Sequence, residues 1–180
     1  MKIETATIRR LRDALLQSGR RPSTILSPAY ETLTRQNLLT PQEMTALSRV
    51  DPMAETMFLM MAADGKIAEA ERDAVRGAIR GMTDNLLRSG TINVMLENYE
   101  KRLKEQGRDA RLQEIAEEIA DDSHETEGAF SLAAAVALAD DEVADEENAF
   151  INQLAEWFNI TPERAHQILD QLEEDRHSSR

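Results

Sequence analysis

The chain has 180 residues, 41% of them hydrophobic but only 4% aromatic, and a net charge of −13. That length supports one domain with its own core, which must be filled by aliphatic, Met and Ala side chains. There is no cysteine, which excludes disulfides and thiolate metal sites and fits a reducing compartment.

In chain order, Ile8, Leu11, Leu15 and Leu16 mark one face of a first helix over residues 4–18. Gly19 to Ser27 reads as a loop, and a short helix follows Pro28. Thr40-Pro41-Gln42-Glu43 is a helix start, with Thr at the N-cap, Pro at N1 and Glu at N3 as a capping box. Asp51-Pro52 reads as a restart, since proline cannot continue the preceding helix. Met53 to Ala63 is apolar on nearly all sides, as in a helix buried all round. Asp64-Gly65-Lys66 is a turn, and a helix follows from Ala68 to Gly81. Helices are expected over 91–106, ending at Gly107, and over 109–121. Ala129 to Ala139 is a second all-apolar helix, with Asp140-Asp141-Glu142 as its turn. A helix from Ala144 to Phe158 follows, then one begun by Thr161-Pro162-Glu163, with a frayed tail after Glu174. The fold class is all-α, with seven to nine helices.

The charge is unevenly spread. Residues 1–50 carry a net +4, residues 51–120 a net −4, and residues 121–180 a net −13. The acidic C-terminal third repels phosphate backbones and anionic lipid, which argues against nucleic acid and favours a cation or a basic protein surface. A surface that serves solubility is the plainer reading of the same charge. The N-terminus lacks the apolar run of a signal peptide, and the longest apolar stretches fall short of the ~20 residues of a membrane span. A cytoplasmic protein without membrane insertion is expected.

Setting Asp64 on Asp140, an offset of 76, aligns Ala63 with Ala139, Ile67 with Val143, Ala68 with Ala144, Glu69 with Asp145 and Glu71 with Glu147. The following apolar register aligns too: Val75 with Ile151, Ala78 with Leu154, Met82 with Phe158. The expected core is therefore a duplicated helix–turn–helix with pseudo-two-fold halves. Asp at a turn bonds nearby N–H groups, and acidic residues in a helix's first turn suit its macrodipole. With Ala at positions 68 and 144, the usual Ser or Thr N-cap is missing, and no capping box is expected at either start. An EF-hand is rejected, because Met60 and Ala62, or Val136 and Leu138, would stand where loop ligands 1 and 3 belong.

These residues carry a resemblance. Ala63-Asp64-Gly65-Lys66-Ile67 with Glu71-Arg72, and Leu138-Ala139-Asp140-Asp141-Glu142-Val143 with Glu146-Glu147, resemble the TerB-like tellurite-resistance family over about 53–160. The resemblance implies an all-α fold with pseudo-two-fold halves, a stress-response setting in the cytoplasm, and an acidic face that binds divalent metal. Carried over by position, that face is Asp64, Glu71, Asp140 and Glu147, with Asp141 and Asp145 nearby. Asp141 stands where the family prefers Gly, and the 1–50 extension lies outside the resemblance.

Oxygen-only ligands suit Ca²⁺, Mg²⁺ or Mn²⁺. Carboxylates that only cap helix starts and turns are the alternative. His124, read as lying between helices, is the only other candidate ligand of note; a single exposed loop His is ordinarily solvated. Trp157 and Phe158 read as core or interface residues. Arg9, Arg10 and Arg12, with Arg20 and Arg21, form either a solvated face or a counterpart to the acidic third, within the chain or across a homodimer. No nucleophile elbow or phosphate loop is present. The sequence therefore points to a non-enzymatic helical module: an extension at 1–50, a TerB-like domain at 51–160, and a C-terminal helix and tail at 161–180. It would bind a metal or a protein partner, or act as a metal-free interaction scaffold.

Overall fold

The structure is a computed structural model that describes residues 3–17, 28–65, 67–139 and 145–178. Among these residues there are nine helices and no strand: α1 (Thr5–Gln17), α2 (Pro28–Arg35), α3 (Pro41–Met61), α4 (Glu69–Met82), α5 (Ser89–Gln106), α6 (Arg108–Ile119), α7 (Ser123–Ala137), α8 (Asp145–Trp157) and α9 (Pro162–Ser178). The all-α expectation holds.

The two apolar runs become the central pair, α3 against α7, which is the most extensive helix contact among the described residues. Every residue from Pro52 to Met61 is buried, as is every residue from Gly128 to Ala137. Stripes so uniformly apolar need neighbours on all sides. Helices α4, α5 and α6 pack on α3, while α1, α8 and α9 pack on α7. Helix α1 also packs on α4 and buries Ile8, Leu11 and Leu15.

Several starts form as the sequence predicts. The Thr40 hydroxyl accepts from the Glu43 N–H at 3.1 Å, and the Glu43 carboxylate accepts from the Thr40 N–H at 2.7 Å. Thr161 repeats half of this device, accepting from the Arg164 N–H at 3.2 Å. Gly107 ends α5 with φ +85°, a conformation that favours glycine, and α6 starts on the next residue.

Three expectations fail. Pro52 does not restart the chain: α3 is one 21-residue helix with Pro52 inside it. The missing N–H costs about 3 kcal/mol in an isolated helix, and burial of the whole following segment against α7 offsets it. Helix α7 starts six residues before Ala129, at Ser123, because the Asp122 carboxylate caps it by accepting from the His124 and Glu125 N–H groups. His124 thus lies in the first turn of a helix and not between helices. Finally, α9 does not fray after Glu174 but runs to Ser178. Asp175 holds it, accepting from the Thr7 hydroxyl at 2.8 Å and pairing with Arg10 at 2.7 Å. The predicted loop at 19–27 lies outside the described residues.

Candidate functional site

The first acidic turn follows directly from the end of α3. The Ala62 N–H bonds to the Phe58 carbonyl, the Ala63 N–H to that of Met60, and the Gly65 N–H to that of Ala62. Gly65 takes φ +78° and leaves Asp64 exposed at the tip. At the start of α4, the Glu71 carboxylate accepts from the Ala68 N–H at 2.6 Å. This is the reciprocal half of a capping box; Ala68 has no side-chain acceptor for the other half. Glu71 therefore has one oxygen committed to its own helix.

The acidic start of α4 is also braced by arginines from the same helix. Arg76 pairs with Glu69 and Asp73, each at 2.7 Å, and donates to Asn93 on α5 at 3.0 Å. Arg72 reaches Glu100 on α5 at 2.8 Å. Helix α8 differs: Asp145, Glu146 and Glu147 open it, and it contains no basic residue. Asp145 is exposed and Glu147 half-buried.

The first acidic turn and α8 both approach the α5–α6 corner. A groove of about 500 Å³ lies between Ala62, Ala63 and Gly65 on one side and Gly107, Arg108 and Asp109 on the other. The Arg108 guanidinium sits 4.8 Å over the Phe150 ring of α8, and Gln153 of α8 lies 3.4 Å from Asp109. The first turn of α6 is thus wedged between the first acidic turn and α8. Asp140 and Asp141 lie outside the described residues. Among the described residues, Asp64, Glu71, Asp145 and Glu147 do not join others in a group of three or more acidic or histidine side chains able to hold a metal ion.

Away from this end, sequence reasoning missed a buried polar cluster. Glu55, 1% exposed within the apolar stretch of α3, accepts two parallel bonds from Arg111, at 2.8 and 2.9 Å, and one from Arg102 at 2.8 Å. One helical turn earlier, Asp51 accepts from the Tyr30 hydroxyl at 2.7 Å and the Tyr99 hydroxyl at 2.6 Å. Burial, and then the Glu55 charge, pushes Asp51 above the usual aspartate range, against the pull of the two hydroxyls and Arg102. Burial and the neighbouring Asp51 push both tyrosines well above theirs. The available clue was a pair of acidic residues four apart on a helix otherwise fit only for the core. Every polar partner comes from α2, α5 or α6, so the cluster ties these helices to α3.

Trp157 is 38% exposed while Phe158 is buried, so only the second is a core residue. The basic face of α1 meets the acidic third within the chain, through Arg10 and Asp175. Among the described residues, no helix is long and apolar enough to cross a membrane.

An all-α bundle with a buried helix pair and an acidic turn defines the class. The chain matches the family described as Tellurite resistance protein TerB over residues 51–170 and belongs to it. The match carries the family region ten residues beyond the expected limit, into α9. No curated protein and no solved structure matches the chain.

Proposed function

We propose that this TerB-family chain is a non-enzymatic helical module of a cytoplasmic stress or tellurite response. Its acidic end takes a divalent cation (Ca²⁺, Mg²⁺ or Mn²⁺) through carboxylates from Asp64, Glu71, Asp140, Asp141, Asp145 and Glu147. The observation that carries this reading is the α5–α6 corner, where the Asp64 turn and α8 approach the same first turn of α6. Acidic segments brought together at this end would concentrate negative potential there.

The proposal includes the duplication, and several features support it. Helices α3 and α7 end 76 residues apart, at Met61 and Ala137. The bonds Ala62 to Phe58 and Ala63 to Met60 recur at the same offset, as Leu138 to Ala134 and Ala139 to Val136. A metal-free protein-interaction scaffold is the second reading. The commitment of Glu71 to the Ala68 N–H, and the arginines along α4, favour it for the first half.

Calorimetric titration of Ca²⁺, Mg²⁺ and Mn²⁺ separates the two readings. Millimolar or tighter binding is expected for at least one ion, with a raised melting temperature, and both effects should be lost in Asp64→Asn/Asp140→Asn. Neither heat nor a melting shift at millimolar metal would leave the scaffold reading.

A further inference from the structure

Helices α4 and α8 follow the two acidic turns in the sequence, yet they use one outward stripe in opposite ways. On α4 the stripe is Arg72, Arg76 and Arg80, and α5 answers it: Arg72 donates to Glu100, Arg76 to Asn93 and Arg80 to Ser89. The 76-residue offset puts Asn148, Asn152 and Glu156 at the corresponding places on α8. All three are exposed, whereas Arg72 and Arg76 are half-buried. The next helix, α9, packs mainly on α7 and α1. Residues four apart share one helix face. Asn148, Asn152 and Glu156 therefore form a row of amide and carboxylate acceptors, the same chemistry that Asn93 and Glu100 of α5 offer to the α4 arginines. Helix α8 has no basic residue to answer this row, and Asp145 and Glu146 add charge at its start. Trp157, the chain's only tryptophan, stands partly exposed at the other end.

We infer that this stripe of α8 is a docking surface for an arginine-bearing helix of another protein. The contacts would be those that join α4 to α5, with the donor and acceptor helices exchanged. Charge complementarity selects the occupant, since residues 121–180 carry a net −13 and repel an acidic helix. A guanidinium donates in a fixed fork that amide and carboxylate oxygens accept, so arginine suits the row better than lysine. The indole of Trp157 adds a face on which a guanidinium stacks. The inference names the partner class that the scaffold reading leaves open, and it rests on the 76-residue correspondence proposed above. It needs no metal, because Asn148, Asn152 and Glu156 lie outside the carboxylates assigned to the cation.

The test is calorimetric titration of the full chain, in EDTA and at low salt, with 20-residue helical peptides on an Ala/Gln background. One carries Arg at every fourth position, one Lys there, one Glu there, and one the same arginines shuffled off the stripe. The Arg peptide is expected to bind one per chain and to shift the Trp157 emission. It should bind at least fivefold tighter than the Lys and shuffled peptides, and the Glu peptide should not bind. Asn152→Arg/Glu156→Arg should weaken the Arg peptide at least tenfold with an unchanged thermal melt. Glu117→Arg/Asp121→Arg, a larger charge change at exposed positions elsewhere, should move it less than twofold. No binding of the Arg peptide, equal binding of the shuffled one, or an equal loss in both double variants overturns the inference. So does self-association of the free chain that Glu156→Arg abolishes in sedimentation, since the stripe would then face a second copy. Because EDTA removes the cation, each of these outcomes leaves the metal titration to be judged separately.

Discussion

Glu55 is almost fully buried and meets three guanidinium N–H donors from Arg102 and Arg111, which are themselves 18% and 8% exposed. Removing the carboxylate would leave two cations in a low-dielectric place without their counter-charge. Glu55→Ala is therefore expected to cost about 3–5 kcal/mol, the range for breaking a buried ion pair from one side, read as a lowered urea midpoint. Asp51, one turn away, acts through pH. Its carboxyl is raised above the ordinary value of 3.8, so the folded state holds this proton more tightly than the unfolded chain does. Its contribution to stability is full below the ordinary value and is lost as pH rises through the raised one. Asp51→Asn should remove that loss, so the variant's stability relative to the wild type climbs with pH across the window in urea titrations. Glu43 runs the other way: the Thr40 N–H, ahead of Arg88, holds its carboxyl low, and its contribution is lost as pH falls. Its cap was legible because Thr40 and Glu43 are three residues apart. The Glu55 cluster was not, because Arg111 lies 56 residues away and only the packing of α6 on α3 brings it in.

At the scale of the element, close approach is set by two small residues in helices. A methyl group on Gly81 would come within 2.5 Å of Ile8 Cγ2, and one on Gly128 within 2.8 Å of Met53 Sδ. The neighbours differ in stiffness: Ile8 is β-branched with restricted χ1, whereas the Met53 thioether can swing aside. Gly81→Ala should lower stability by about 1 kcal/mol, at the low end of overpacking costs. Gly128→Ala should be neutral or stabilising, because Ala gains up to about 1 kcal/mol over Gly inside a helix. Thermal melts of both variants check the contrast. Helix existence was readable from apolar stripes, all-apolar runs and proline-marked starts, but two junctions were not. Proline at 52 reads locally as a break, and nothing local reports that the following turns will be buried against α7. The start of α7 was hidden for a similar reason: Ser123 to Gly128 is polar, and its helical state rests on the Asp122 cap rather than on an apolar stripe.

For the molecule as a whole, the family match begins at residue 51, in the middle of α3. Residues before it supply Ile3, Ile8, Leu11, Leu15, Tyr30, Leu39, Leu47 and Val50 to the hydrophobic core. A fragment of residues 51–170 would expose the faces of α4 and α7 that α1 covers and would leave Asp51 without its Tyr30 hydroxyl. It is expected to be aggregation-prone or molten, with a broad melt and dye-binding apolar surface, in contrast to a cooperative full chain. The all-α class and the acidic turn at Asp64 were legible in the sequence. That a region outside the family match would complete the core was not, because the apolar stripe of α1 does not say which helix it will meet. The placement of the aromatic residues has an optical consequence. Both tyrosines of the chain, Tyr30 and Tyr99, sit on Asp51, and its single tryptophan, Trp157, closes α8 partly exposed. Tyrosine absorbance therefore reports on the buried cluster beside α3, and indole emission reports on α8. The native chain carries two separately readable chromophores, with no label added, for following its two halves as they unfold or bind.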